Sequence, residues 1–273
     1  MPEVAGADAV PRTSAPQRPG LQQKAREAAR SLAPSLAPVP ERPFLTAGPL
    51  TSFAFGVESA LGHRPLRYLV ARRFAETATL TCLFVLEPDQ LAGTYVTIRE
   101  DRARADCQVW TYVPTMRRAV RIVERHVFGC LPLTRVGYLD LMAWRHPALG
   151  DVPEDREADV SWSGWPGARA HCYLGPGSTP GLTVTEAVDP VSGTVVARSV
   201  DRRGVPERRW QVLRPGPPEL PARIGVGGPD AGTATEFRRL GDPVEVPEGA
   251  FDDGPRALWD AVGRRIPALA PRR

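Results

Sequence analysis

The sequence contains a single lysine, Lys24, among 35 basic residues, and only four cysteines and four histidines in 273 residues. Because arginine supplies almost all the positive charge, the net charge of +4 and the pI near 9.1 reflect composition and argue only weakly for an anionic partner. The cysteines, Cys82, Cys107, Cys130 and Cys172, show no paired C-x-x-C spacing. That excludes the common zinc frameworks, assigns no disulfide, and makes small buried hydrophobes in strands their plainest reading. His63, His126, His146 and His171 are scattered without metal-ligand spacing. There is no G-x-S-x-G, no P-loop, no G-x-G-x-x-G after a strand and no H-E-x-x-H, so neither a cofactor nor a metal is expected. No apolar run approaches the roughly 18 residues of a spanning helix. The N-terminal MPEVAGADAVPRTSAPQRPG has neither the basic start nor the apolar stretch of a secretory leader, so the sequence as it stands predicts a cytoplasmic protein.

What is present is an ordinary globular balance, 42% hydrophobic and 24% charged. Residues 1–43 hold eight prolines, nine alanines and no aromatic residue, and are expected to form a disordered arm in which Leu21 to Ala33 could make one short helix. From Phe44 onward the texture is that of strands. PLRYLVARRF, TATLTCLFVLEP and GTYVTIRED are rich in β-branched and aromatic residues and are bounded by Gly, Pro and Asp. After the acidic loop DVPEDREADV, six further runs follow at about one per ten residues, from RAHCYLG to TATEFRRL, the cadence of a meandering sheet. A main domain over 44–252 is therefore expected. The remainder, 253–273, reads as a short helix and tail, with Asp253 as N-cap, Pro255 in the first turn, and Leu258, Val262 and Ile266 at spacings of four.

Two stretches stand out. VWTYVPTMRRAVRIV reads as a hairpin turning at Pro114-Thr115-Met116, with Trp110 and Tyr112 on one face of the first strand. Its second strand sets Val120 and Ile122 opposite Arg117 and Arg121, with Arg118 at the turn end. A nucleic-acid surface would cluster cations with aromatic platforms, whereas this pattern separates charge from apolar bulk, so no nucleic-acid partner is expected. Next comes VFGCLPLTRVGYLDLMAW, which is almost wholly apolar but broken by Gly129, Pro132 and Gly137. It is either a plug that completes the core or a lid over a hydrophobic cavity. Asp140 within it needs a cation, for which Arg118 or Arg121 is the expected partner.

In order, LFVLEPDQLAGTYVTI, QVWTYVPTMRRAVRIV and GYLDLMAW resemble the outer-membrane lipoprotein-sorting proteins of the LolA/LolB-like superfamily. Pro88, Gly93 and Thr94 match the family's turn; Trp110, Tyr112 and Pro114 its aromatic strand; and Arg117, Arg118, Arg121 and Ile122 the return strand. Phe128 and Gly129 match the lid, and Tyr138, Asp140 and Leu141 the element after it. The resemblance spans residues 50–252 by pattern. It implies an α+β, mainly β fold: an incomplete, strongly curved antiparallel β-barrel closed by an apolar lid and short helices. It also implies carriage of a lipid or acyl chain without covalent chemistry, a possible membrane-protein partner, and the periplasmic or exported setting usual for the family. Trp110, Tyr112, Val120, Ile122, Phe128, Leu131, Tyr138, Leu141 and Trp144 are then expected to line the cavity. Arg117, Arg118, Arg121 and Asp140 would meet a headgroup or pair across the lid. The competing expectation is a biosynthetic enzyme, a cyclase or isomerase of a polyketide-like or terpenoid substrate, using His126, His146, Asp140 or Tyr138. A third is a peripheral membrane protein docked through Leu258, Trp259, Val262 and Ile266, with Arg256, Arg264 and Arg265 as its cations.

Overall fold

A computed structural model describes residues 42–59, 65–131, 134–152, 159–217, 219–228, 234–263 and 265–266. The expected arm, up to residue 41, and its Leu21–Ala33 helix lie outside these residues, as do Pro132, Arg264 and most of the acidic loop.

Among the described residues, thirteen strands form one antiparallel sheet: β1 Ser52–Ser59, β2 Arg67–Phe74, β3 Thr79–Glu87, β4 Tyr95–Asp101, β5 Asp106–Tyr112, β6 Ala119–Ile122, β7 Gly150–Asp151, β8 Arg169–Leu174, β9 Leu182–Val188, β10 Val195–Arg202, β11 Val205–Arg214, β12 Arg223–Gly227 and β13 Thr235–Glu245. The strand order, β6-β5-β4-β3-β2-β1-β13-β12-β11-β10-β9-β8-β7, is a meander cut in the middle. The chain starts at the centre, runs out to the β6 edge, restarts at the β7 edge and returns until β13 pairs with β1. Register shifts at Ala54/Gly56, Arg67/Tyr68, Val195/Ala197, Val200/Asp201 and Val212/Arg214 mark bulges, each of which adds bend and twist. The sheet curls strongly and does not close.

This topology dictates what lies over the concave side. Having ended one wing at β6, the chain must cross the open mouth to begin the other at β7, and the crossing segment is Val123–Leu149. It contains helix α1 (Glu124–Val127) and a 3-10 turn, Tyr138–Leu141. The apolar stretch is thus a connection between opposite sheet edges.

Period-two alternation gives the sheet two different faces. Inward residues such as Phe53, Tyr68, Leu83, Ile98, Trp210 and Phe237 form the main core together with the crossing segment. Outward residues Ala54, Leu69, Cys82 and Phe84 form a second core, covered by helix α2 (Pro255–Val262) through Leu258, Val262 and the following Ile266. Those three residues are buried against the protein's own sheet, which removes the apolar face that membrane docking would need. Asp253 does not cap the helix. Gly254, at φ 87°, holds the cap position without a side-chain bond, and Pro255 takes the first helical position that its fixed φ suits.

Candidate functional site: a clamped segment over the concave face

The crossing segment makes few sheet-like bonds; Cys130 and Gly137 form an isolated bridge within it. It is held by charged side chains that rise from the concave face, where apolar neighbours would predict none. Arg72, from β2, donates to the carbonyls of Phe44 and Leu141 and, at 3.0 Å, to that of Leu45, while its Nε is tied to Thr81 Oγ1 at 2.9 Å. Glu100, from β4, accepts the Ala143 and Trp144 N–H groups, each at 2.9 Å. Arg198, from β10, donates to the Leu139 carbonyl and to Glu186. Arg208, from β11, donates to the Gly129 carbonyl at 3.2 Å. Four strands from both wings therefore grip the backbone of one segment. Backbone that cannot join the sheet ladder finds its partners here, and this is why costly charges are buried at these positions.

Asp140 is the segment's own contribution. Its Oδ2 accepts the Gly137 N–H at 2.8 Å, and its Oδ1 lies 3.7 Å from Arg198 and 3.5 Å from Arg208. The expected ion pair thus exists, but with other partners: Arg118 and Arg121 are exposed, and the cations that meet Asp140 come from strands far along the chain. Gly137 allows the approach, since a Cβ there would fall 1.5 Å from the Arg208 guanidinium.

Burial and pairing set the electrostatics. Burial pushes Arg72 down to about 10, with Glu100 opposing. It raises Glu100 despite the pull of Arg72 and the two N–H donors. Burial also pulls on Arg198, but Glu186 and Asp140 outweigh it and leave that group raised. His146 is buried, edge-on to Phe128 at 5.4 Å, and accepts the Ala148 N–H through Nδ1; burial lowers its affinity for a proton, opposed by Glu124.

The residues singled out from sequence fall into three places. Phe128, Leu131, Tyr138 and Leu141 are buried in the main core, with Ile122 packed against it. Trp144 is half-buried, its indole N–H donating to Thr79 at 2.9 Å beneath the Arg102 guanidinium. Val109, Thr111, Val120 and Ile122 share one face of the hairpin, through the pairings Val109↔Ile122 and Thr111↔Val120. Trp110 and Tyr112 pair with Arg121 and Ala119 on the opposite, outer face, and Trp110 is 38% exposed. The pleat forbids both sets from lining one cavity, so the expectation that joined them is corrected. Arg117 and Arg118 are exposed at the turn, and Arg117 takes a left-handed backbone, φ 52°. His126 is exposed beside Arg125, and among the described residues no histidine bonds to Asp140.

Under the segment, the concave face holds a cavity of about 50 Å³, bounded by Tyr68, Leu83, Asp140, Leu141, Trp210 and Phe237 among others. Sequence reasoning missed Arg72, Glu100, Arg198 and Arg208. The available signal was a charge at an inward register position of a strand, as in RYLVARRF, where Tyr68, Val70 and Arg72 share a parity.

No protein-family model matches the chain, and no curated protein matches it in sequence. Solved structures do match. A DUF1329-family protein from Desulfovibrio piger superposes with a TM-score of 0.55 at 12% identity, over 74% of this chain and 90% of that one. A domain assigned as an outer membrane lipoprotein-sorting protein, from Vibrio parahaemolyticus, gives 0.54 at 14% identity, over 74% and 89%. A LolA superfamily protein from Nitrosomonas europaea gives 0.50 at 14% identity, over 75% and 91%. The fold is LolA-like: an incomplete, strongly curled antiparallel barrel. Among the described residues no helix is long and apolar enough to cross a membrane.

Proposed function

We propose that the protein is a non-covalent carrier of a hydrophobic ligand, a lipid or a protein-borne acyl chain, which it holds against the concave face beneath the Val127–Trp144 segment. The observation that carries this reading is the way the segment is fastened. Its side chains pack into the main core, but its backbone is fastened by discrete side-chain clamps and not by strand pairing to the sheet, so its departure would break no sheet ladder. Its displacement would expose Phe53, Tyr68, Leu83 and Val109 on one side and Phe128, Leu131, Tyr138 and Leu141 on the other, with Val120 and Ile122 at the rim.

Each 100 Å² of acyl chain buried there contributes about 2.5 kcal/mol before association costs. That gain is what would have to offset the loss of the segment's own packing against the same face. The exposed Arg117, Arg118 and Arg121 stand on the hairpin leading into the segment, and in this reading they meet a charged headgroup. The likeness to lipoprotein-sorting and LolA superfamily folds supports the same reading, and a membrane-bound donor or acceptor would complete the transfer.

The test is native mass spectrometry of the protein purified from its own cells, followed by solvent extraction. Near-stoichiometric lipid, retained less by Phe128→Ala than by the parent protein, is the expected result. A ligand-free protein that also fails to take up a fluorescent fatty acid would reject the carrier reading and leave the segment as a core plug.

A further inference from the structure

A large cleft lies on the outer face, away from the clamped segment. It measures about 820 Å³ and runs between the β3–β4 turn, the end of β5 and the start of α2. Phe84, Tyr95, Tyr112 and Trp259 line it. Tyr95 and Tyr112 stack at 4.9 Å with their planes 12° apart. Tyr95 and Trp259 pack against the buried Phe84 at 53° and 55°, so the rings that line the cleft are set at several angles and not as one flat stack. Three carboxylates, Glu87, Asp89 and Asp253, also line the cleft. Against them stand two guanidiniums. Arg67 is engaged by Glu87 at 3.3 Å and Glu58 at 3.8 Å, and Arg256 is exposed in the first turn of α2. Among the described residues no ion pair engages Asp89 or Asp253.

We propose that this outer cleft binds a hydrophobic organic cation, an apolar body carrying a quaternary or tertiary ammonium group. Inclined aromatic walls present negative ring faces that attract a weakly hydrated cation, and the acidic rim adds to that attraction while disfavouring anions. The volume is that of a small-molecule site, with room for an apolar body beyond the charged group. The cleft opens on the opposite side of the sheet from the concave face, so this site is independent of the carrier reading.

The experiment is calorimetric titration of the full chain with octyltrimethylammonium, octyl sulfate and octanol, each below its micelle-forming concentration. Saturable one-to-one binding of the cation is expected, with the sulfate and the alcohol weaker by at least about fivefold. The paired exposed substitutions Asp89→Asn and Asp253→Asn should bring the cation's affinity down toward that of the alcohol, and Tyr112→Ala should weaken it further, with unchanged circular dichroism in both cases. Equal affinity for all three probes, preference for the sulfate, absence of binding, or cation binding untouched by these substitutions would each overturn the proposal.

Discussion

Asp140 shows how one residue's environment decides its role. Amid apolar neighbours it could be read as a catalytic acid, but Arg198, Arg208 and the Gly137 N–H occupy it from three sides. Replacing it with alanine leaves the buried Arg208 guanidinium without its carboxylate and Arg198 with Glu186 alone, and we expect a loss of about 3–5 kcal/mol in urea unfolding. Gly137→Ala should act on the same contact by displacing the Arg208 guanidinium, so in a double-mutant cycle with Asp140→Ala the two losses should not add. His146 contributes a pH dependence to this region. Its folded-state proton affinity is lowered from the ordinary 6.5, so the unfolded chain binds the proton more readily. The stability it contributes is therefore present above about 6.5 and is lost as pH falls toward its folded value. His146→Gln should flatten the stability curve in that window, as followed by thermal melts at stepped pH.

At the scale of elements, most strands were legible because a half-buried strand writes its alternation into the sequence. PLRYLVARRF, TATLTCLFVLEP and GTYVTIRED became β2, β3 and β4. The first strand, SFAFGVES, escaped because its glycine and its bulge near Ala54 blur the period. The hairpin's two faces were also legible, and they make a prediction of their own: Val109→Asp, which buries a carboxylate, should cost at least about 2 kcal/mol more than Trp110→Asp, since Val109 is 1% exposed and Trp110 38%. The partners of Asp140 were not legible. Their inward register marks Arg198 and Arg208 as charges on a core face, but nothing local joins either to Asp140, and only the curl of the second wing brings β10 and β11 to the crossing segment. The helix cap failed for a simpler reason: Asp253 has the right chemistry, but a glycine at φ 87° stands between it and the first turn.

At the scale of the whole molecule, one topological fact organises the rest. A meander that begins at its centre must send its chain across the open face to reach the far edge. That crossing makes a cover, and the clamps from β2, β4, β10 and β11 determine how firmly it is held. The central claim is that the cover opens without unfolding the sheet, and native-state hydrogen exchange tests it most directly. If the claim holds, the amides of Leu139–Trp144 exchange through an opening at least about 2 kcal/mol below the global unfolding free energy shown by β2–β4. Arg72→Met should widen that gap, and a bound long-chain fatty acid should change the exchange of these amides while leaving the sheet's unchanged. If those amides instead exchange only with global unfolding, with or without the fatty acid, the segment is a permanent part of the core and the account of it as a lid is wrong.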